Sequence, residues 1–378
     1  MHPITKIFCC STLAFGLVGC GGGGGGDPLV QDYFVETPPP DTTTLESLMV
    51  ASSPTKSKDF YLLPDSDDYD NIPQDPLNPL TGAKVEVGKL IYHDPAFATE
   101  GIALRAKTWS CASCHHARAG FKSGMIQGIG EGGEGFGLKG ETRGWFDPEI
   151  GTQDADVQPV TSPTILNVAF QDVMLWNGQL GNASNGIINV GIDPEILMTE
   201  GTPKVANAEG LSGIETQAIA GTGVHRILGF PPELEDSDYY QMLLDAFPEY
   251  SRDELHKSST RAIAAFERTV LANQSPFQLW LRGDTDAMSE KEIAGAEVFF
   301  GDGGCVACHQ GAAFSSPVGA TADQVFFSVG FADLDFNEII GGVPDAVRLG
   351  RGGFTQVEED NYKFKVPQLY NLADINVF

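Results

Sequence analysis

Apolar positions recur at helical spacing in several stretches of the chain, and each stretch opens where a helix start is chemically easy. Ser289 followed by Glu292 makes a capping box, and Ile293, Ala296 and Phe300 then fall on one face. Ser258-Ser259-Thr260 carries the start signals of another helix, with Ile263, Phe266 and Val270 as its expected buried stripe. A third helix is expected from Asp238 through Phe247. No stretch alternates apolar and polar residues long enough to predict a persistent strand. Long connections rich in glycine and proline, 45 and 23 residues of 378, separate the helices.

The beginning of the chain follows a different pattern. Lys6, an apolar run from Ile7 to Val18, and Leu17-Val18-Gly19-Cys20 resemble a bacterial lipoprotein signal, so cleavage before Cys20 and lipidation of its thiol are expected. An ordinary cleaved signal, releasing a soluble periplasmic protein, is the competing reading. The run is too short to cross a bilayer as a helix. Gly21–Gly26 and Pro38–Pro40 then read as a tether, flexible and afterwards stiffer. The acidic stretch from Asp65 to Asp70 lacks the glycine and glutamate of a calcium-binding loop and reads as a solvated surface. A formal charge of −28 argues against nucleic acid or an anionic membrane as partner, and suits basic or neutral donor proteins.

The cysteines carry the chemistry. Cys111-Ala112-Ser113-Cys114-His115 and Cys305-Val306-Ala307-Cys308-His309 both read C-x-x-C-H, the attachment signature of a c-type haem. Two thiols three apart can each bond a porphyrin vinyl group, and the next histidine reaches the iron. With Cys9, Cys10 and Cys20 in the targeting segment, all seven cysteines are placed. Two other uses compete. A zinc site from both pairs leaves the histidines unexplained and requires the pairs to meet across the chain. Two disulfides suit an exported protein but lack a thioredoxin-like surround. Covalent haem would also supply the core that the loop-rich connections lack.

The surroundings of the two motifs repeat. Lys89–Asp94 precedes the first and Glu297–Asp302 the second; downstream, Pro163–Asn167 and Pro367–Asn371 both read P-x-[IL]-x-N. This is the signature of a duplicated unit. The first copy continues to Leu175-Trp176-Asn177-Gly178, whereas the second has seven residues left after Asn371, so a longer C-terminus is expected. Gly128, Gly130 and Gly133 fit G-x-G-x-x-G, but no apolar strand precedes them and Glu131 and Glu134 would repel a pyrophosphate, so a nucleotide site is rejected.

From about Val87 onward, the two C-x-x-C-H sites, Ser162–Asn167, Leu175–Gly178, Ala264–Thr269 and Phe364–Pro367 resemble the di-haem bacterial cytochrome c peroxidases, a group that includes the MauG-type enzymes. The resemblance implies a mainly α fold with two cytochrome c-like domains, each around one covalently bound c-type haem. The corresponding division is a signal at 1–19, a tether at 20–58, a peroxidatic haem domain at 59–275 and an electron-transfer haem domain at 276–378. His115 and His309 would be the proximal iron ligands. Trp176 stands where the family has a tryptophan between the haems, a relay or simply a large core side chain. Gln217 resembles the glutamine of the peroxidatic pocket.

Three departures accompany the resemblance. Glu131 falls where many members carry a labile distal histidine, so the first iron is expected open at rest, with Glu131 assisting proton transfer or lying in an exposed loop. Val224-His225-Arg226 replaces the family's acidic catalytic residue, making His225 a candidate proton carrier or a histidine packed at a domain edge. No methionine or histidine follows His309, leaving Tyr362 and Tyr370 or a longer tail to supply the second distal ligand. An interdomain calcium ion, common in the family, is in doubt because Thr161 replaces an asparagine ligand.

The implied function is reduction of hydrogen peroxide in the periplasm with electrons from a small c-type cytochrome or cupredoxin, on a protein anchored through Cys20 and able to form a homodimer. A MauG-like oxidase of a protein substrate and a di-haem electron carrier without catalysis are the alternatives.

Overall fold

Ser289 caps a helix as its spacing predicts: its backbone N–H and hydroxyl both donate to Glu292 Oε2, at 2.8 and 2.6 Å, while its oxygen accepts from the Glu292 N–H. The computed structural model describes residues 41–99, 106–145, 155–181, 187–330 and 342–374. The expected signal, Cys20 and the glycine run lie outside these. Residues from Pro40 onward form one compact unit.

Six helices of nine residues or more build the described part: α1 Thr43–Ser52, α2 Gly82–His93, α3 Gly213–Val224, α4 Asp238–Ala246, α5 Leu255–Arg268 and α6 Glu290–Phe300. The only strands among the described residues are two-residue antiparallel pairs, Gly133–Glu134 with Gly144–Trp145 and Phe326–Phe327 with Phe364–Lys365. None of these helices is long and apolar enough to cross a membrane. The mainly helical expectation holds, and α4 matches its predicted span to within one residue.

The predicted start of α5 does not hold. A capping box of Ser251 and Glu254 sits ahead of a short 3-10 turn that leads into Leu255. Ser258, Ser259 and Thr260 lie inside the helix and are buried. Two of their hydroxyls bond back to the preceding turn, Ser258 to the Leu255 carbonyl at 2.9 Å and Thr260 to that of Lys257 at 3.0 Å. Hydroxyls satisfied in this way tolerate a helix interior, so they did not mark its end. Val270 lies beyond the helix.

The larger hydrophobic cluster gathers Tyr92, Phe97, Trp109, Ile214, Leu243, Phe247 and, from α5, Ala262 and Ala264, with Cys111 and Ala112 packed against it. At Gly88, α2 lies so close to α5 that a Cβ would fall 1.8 Å from the Ala262 carbonyl oxygen, which only glycine allows. Arg268 of α5 clasps Glu215 of α3 with two hydrogen bonds, at 2.9 and 2.6 Å, both residues buried. That pair sets the register of the two helices, and removing one partner would cost about 3–5 kcal/mol.

The second cluster holds α6 with Tyr61, Trp280, Leu281 and Met288, and Val306 of the second motif packs on it. Leu45 and Met49 of α1 are fully buried here. Part of the stretch expected to be tether, Thr43–Ser52, is therefore a helix, stabilised because its apolar residues meet α6 far along the chain.

Candidate active site

The two C-x-x-C-H segments fold alike. Cys111–Ser113 and Cys305–Ala307 each form one 3-10 turn, and the following histidine turns its Nδ1 to a carbonyl: His115 to Phe121 at 3.2 Å, His309 to Phe314 at 2.9 Å. An Nδ1–H donated to a carbonyl selects the tautomer and leaves Nε2 as the metal-facing nitrogen. Asn167 and Asn371, which close the two P-x-[IL]-x-N segments, both adopt the left-handed conformation, with φ of 57° and 56°. The duplication is thus structural as well as sequential. None of the four motif cysteines is joined in a disulfide.

The first segment opens onto a cavity lined by Cys111, Cys114 and His115 together with Trp109, Gln217, His225 and Glu267. Burial, helped by His225, pushes the His115 imidazole down to about 4, so it is neutral as a metal ligand must be. Burial also pushes both thiols up to about 12, keeping them as thiols until they are used in a bond. Two thiols and a neutral imidazole lining one cavity fit a covalently attached haem in their chemistry.

Four elements bring the other groups to the cavity. Helix α3 supplies Gln217 and, at its C-terminal cap, His225. The His225 carbonyl accepts the Trp109 Nε1–H at 2.8 Å, and its Nδ1 lies 2.8 Å from Asp156 Oδ2. Asp156 is itself buried, and its other oxygen accepts from the Gln158 amide at 2.8 Å. Burial disfavours a charged His225, but attraction to Asp156 and the hydrogen bond outweigh it, so the imidazole titrates above its ordinary range. Helix α5 contributes Glu267, which burial and the nearby Glu215 carboxylate, partly offset by Arg268, push up to about 8. At neutral pH Glu267 is therefore a protonated acid, facing the same space as a histidine held by a carboxylate.

Glu131 is placed differently from either expectation. It is fully buried rather than in an exposed loop, and its carboxylate is held by Arg226, next to His225. The residue of this loop that lines the cavity is Gly130. The G-x-G spacing has a packing reason: a Cβ at Gly128 would meet Ser162 Oγ at 2.4 Å, and one at Gly130 would meet Asp156 Oδ2 at 2.1 Å. Arg143, also buried, donates to the Gly130 carbonyl at 2.7 Å and ties the loop down.

Trp176 is half-buried, and its carbonyl accepts the Lys365 N–H at 2.8 Å, so it stands at the seam between the two repeats. Tyr370 is not free as a ligand. Its ring stacks on Phe314 at 5.5 Å and its hydroxyl accepts from Gln278 at 2.6 Å. Among the described residues no three His, Cys, Asp or Glu side chains converge on a metal site, so the calcium expectation rests on the resemblance alone. Sequence reasoning missed Asp156 and Glu267. Glu267 lay within a motif already singled out, whereas Asp156 sits in a glycine-rich stretch with no distinguishing signal.

Known proteins support this geometry. A family model described as di-haem cytochrome c peroxidase matches residues 82–286, covering the first motif and the cavity helices. The cytochrome c peroxidase Ccp of Escherichia coli is 27% identical over 296 residues, 78% of this chain and 49% of that protein. The cytochrome c551 peroxidase of Pseudomonas aeruginosa is 25% identical over 303 residues, and the methylamine utilization protein MauG of Methylorubrum extorquens 24% over 305. These two alignments cover 78% and 80% of this chain and 66% of each relative. The chain therefore spans about half to two-thirds of the length of these relatives. A solved MauG-like protein associated with microbial copper homeostasis shares the fold, with a TM-score of 0.51 and 22% identity over 82% of this chain and 75% of that one. With the family model covering more than half of its length, the chain belongs to the di-haem cytochrome c peroxidase family.

Proposed function

We propose that the chain reduces hydrogen peroxide to water at the cavity beside His115, with electrons passed from the haem site at His309 by way of Trp176. The observation that carries this reading is the convergence of Gln217, His225–Asp156 and Glu267 on the cavity that Cys111, Cys114 and His115 also line. Haem bound there would supply the one-electron chemistry and the cleavage of the O–O bond. The chain's own groups handle the protons. His225, oriented by Asp156 and Trp109, accepts the proton of incoming peroxide. The Gln217 amide is placed to orient a bound oxygen, and neutral Glu267 can give a proton to the leaving one. Each cycle takes up two electrons and two protons and releases two waters.

A small periplasmic c-type cytochrome or cupredoxin refills the second site, and the net charge of −28 favours a basic one. Lipidation at Cys20 would hold the enzyme at the cell envelope. The test is hydrogen-peroxide-dependent oxidation of a reduced small c-type cytochrome by the full-length holoprotein, with and without prior half-reduction. Turnover in both states is expected, since the Glu131 carboxylate is held by Arg226 and the residue its own loop turns to the cavity is Gly130, which has no side chain to ligate. Turnover only after half-reduction would refute the open site. No turnover in either state would refute the peroxidase and favour a MauG-like oxidase of a protein or an electron carrier.

A further inference from the structure

Two consecutive basic residues meet two buried carboxylates on paired strands, and their contacts do not cross. The segment 128–131 runs antiparallel to 156–158: the Gly130 N–H donates to the Asp156 carbonyl at 2.8 Å and the Asp156 N–H to the Glu131 carbonyl at 3.2 Å. The Asp156 carboxylate lies over Gly130, in the space that a Cβ there would fill. Asp156 and Glu131 are thus neighbours on the paired strands, and both are buried. His225 and Arg226 follow directly on α3. His225 Nδ1 lies 2.8 Å from Asp156 Oδ2, whereas the Arg226 guanidinium binds Glu131. Arg226 holds this position in a left-handed backbone conformation, φ 54°, which any residue with a Cβ disfavours.

Electrostatics explains why a second carboxylate is needed. A guanidinium is always charged and can give a carboxylate two N–H bonds at once, so it outcompetes a single imidazole N–H for the same partner. Were Asp156 the only carboxylate beside the pair, Arg226 would displace His225 and leave its ring free to turn. A third cation, Arg143, feels the Asp156 charge, but its hydrogen bonds run to the carbonyls of Ile129, Gly130 and Gly135. The other groups facing His225 offer no second counter-charge. Gln158 presents an amide at 3.4 Å, Trp109 binds only the backbone carbonyl, His115 is neutral, and Glu267, lining the same cavity, is a protonated acid.

We propose that Glu131 is a positioning residue: by holding Arg226 it reserves Asp156 for His225. Glu131 then acts on proton transfer indirectly, in keeping with a cavity wall formed at Gly130. The kinetic part of the test rests on the peroxidase reading; the sorting of the charges does not.

The test uses the full-length holoprotein with Glu131→Gln, Arg226→Gln and both together. Two measurements follow the His225 imidazole. One is the inflection of peroxide turnover against pH. The other is the pH dependence of hydrogen–deuterium exchange at its Cε1, read by mass spectrometry, which needs no turnover. Glu131→Gln takes away the charge that holds Arg226 and turns the guanidinium to Asp156, so both midpoints should fall by about one pH unit. Arg226→Gln removes the competitor and should lower neither. The double variant should return both midpoints to their wild-type values, with Asp156 again serving His225 alone. Slower turnover in Glu131→Gln with both midpoints unmoved would overturn the inference, leaving Glu131 a direct proton carrier or a purely structural residue. A double variant as low as Glu131→Gln would overturn it too. So would a lowered midpoint in Arg226→Gln, which decides the matter even if Glu131→Gln fails to fold. No turnover in the unsubstituted protein would sink the peroxidase reading instead, and the exchange midpoints would still judge the role of Glu131.

Discussion

The two C-x-x-C-H sites share a motif, a 3-10 turn and a histidine-to-carbonyl bond, yet their surroundings differ. At the first, both thiols and His115 line a cavity with His225, Asp156, Gln217 and Glu267 around it. At the second, Cys305 is exposed, and the residue holding His309 is wrapped in rings: Phe314 has Phe277, Phe299, Tyr370, Tyr61 and Phe300 within 5.3–6.0 Å. Proton-handling groups gather at one copy, aromatic packing and an accessible edge at the other. Duplication supplied two units with one motif, and under the proposed function what surrounds each separates chemistry from electron entry.

The strongest way to break this contrast is His225→Ala, expected to lower peroxide turnover by about 10²–10⁴-fold in steady-state assays while leaving reduction of the second haem by donor intact. Equal slowing of both would mean that the cavity is not the seat of proton transfer. Asp156→Asn is milder, about tenfold, and more diagnostic. Because Asp156 raises the His225 imidazole and the base must be unprotonated, turnover should rise with pH through an inflection above 6.5, and the variant's inflection should move down. An unmoved inflection would remove Asp156 from the relay.

Glu267→Gln sharpens the acid side. A carboxyl raised from 4.5 to about 8 holds its proton in the folded state, so wild-type stability falls as pH rises across that window. The glutamine variant should match wild type near pH 4 and exceed it near pH 8 by about 1–2 kcal/mol, reduced from the full shift because Glu267 is not fully enclosed. Thermal unfolding at the two pH values decides it, and parallel curves would refute the raised acid. The smallest effect belongs to the second copy. Tyr370→Phe loses the Gln278 bond and about 1 kcal/mol of stability, with peroxide turnover unchanged. A large loss of turnover would show that the aromatic copy participates in chemistry.

The two C-x-x-C-H motifs were legible because they are local: two thiols and a histidine within five residues need no fold to be recognised. The capping box of α6 and the span of α4 were legible for the same reason. The start of α5 was not, because Ser258 and Thr260 bond back to their own preceding turn inside the helix instead of opening it. Nor was the helix Thr43–Ser52, whose amphipathic face means nothing until α6 lies against it.

The sequence by itself determined a duplicated unit, two C-x-x-C-H motifs and a mainly helical chain, since caps, periodicity and short motifs act between neighbours. Only the tertiary structure decided which copy gathers proton-handling groups around it. Asp156, His225 and Glu267 come from three separate stretches, and their titration depends on burial and on one another. Burial and mutual distance are properties of the packed chain, set here by the Glu215–Arg268 clasp and the close approach of α2 to α5. The same packing turned Glu131 from an open loop residue into the partner of Arg226.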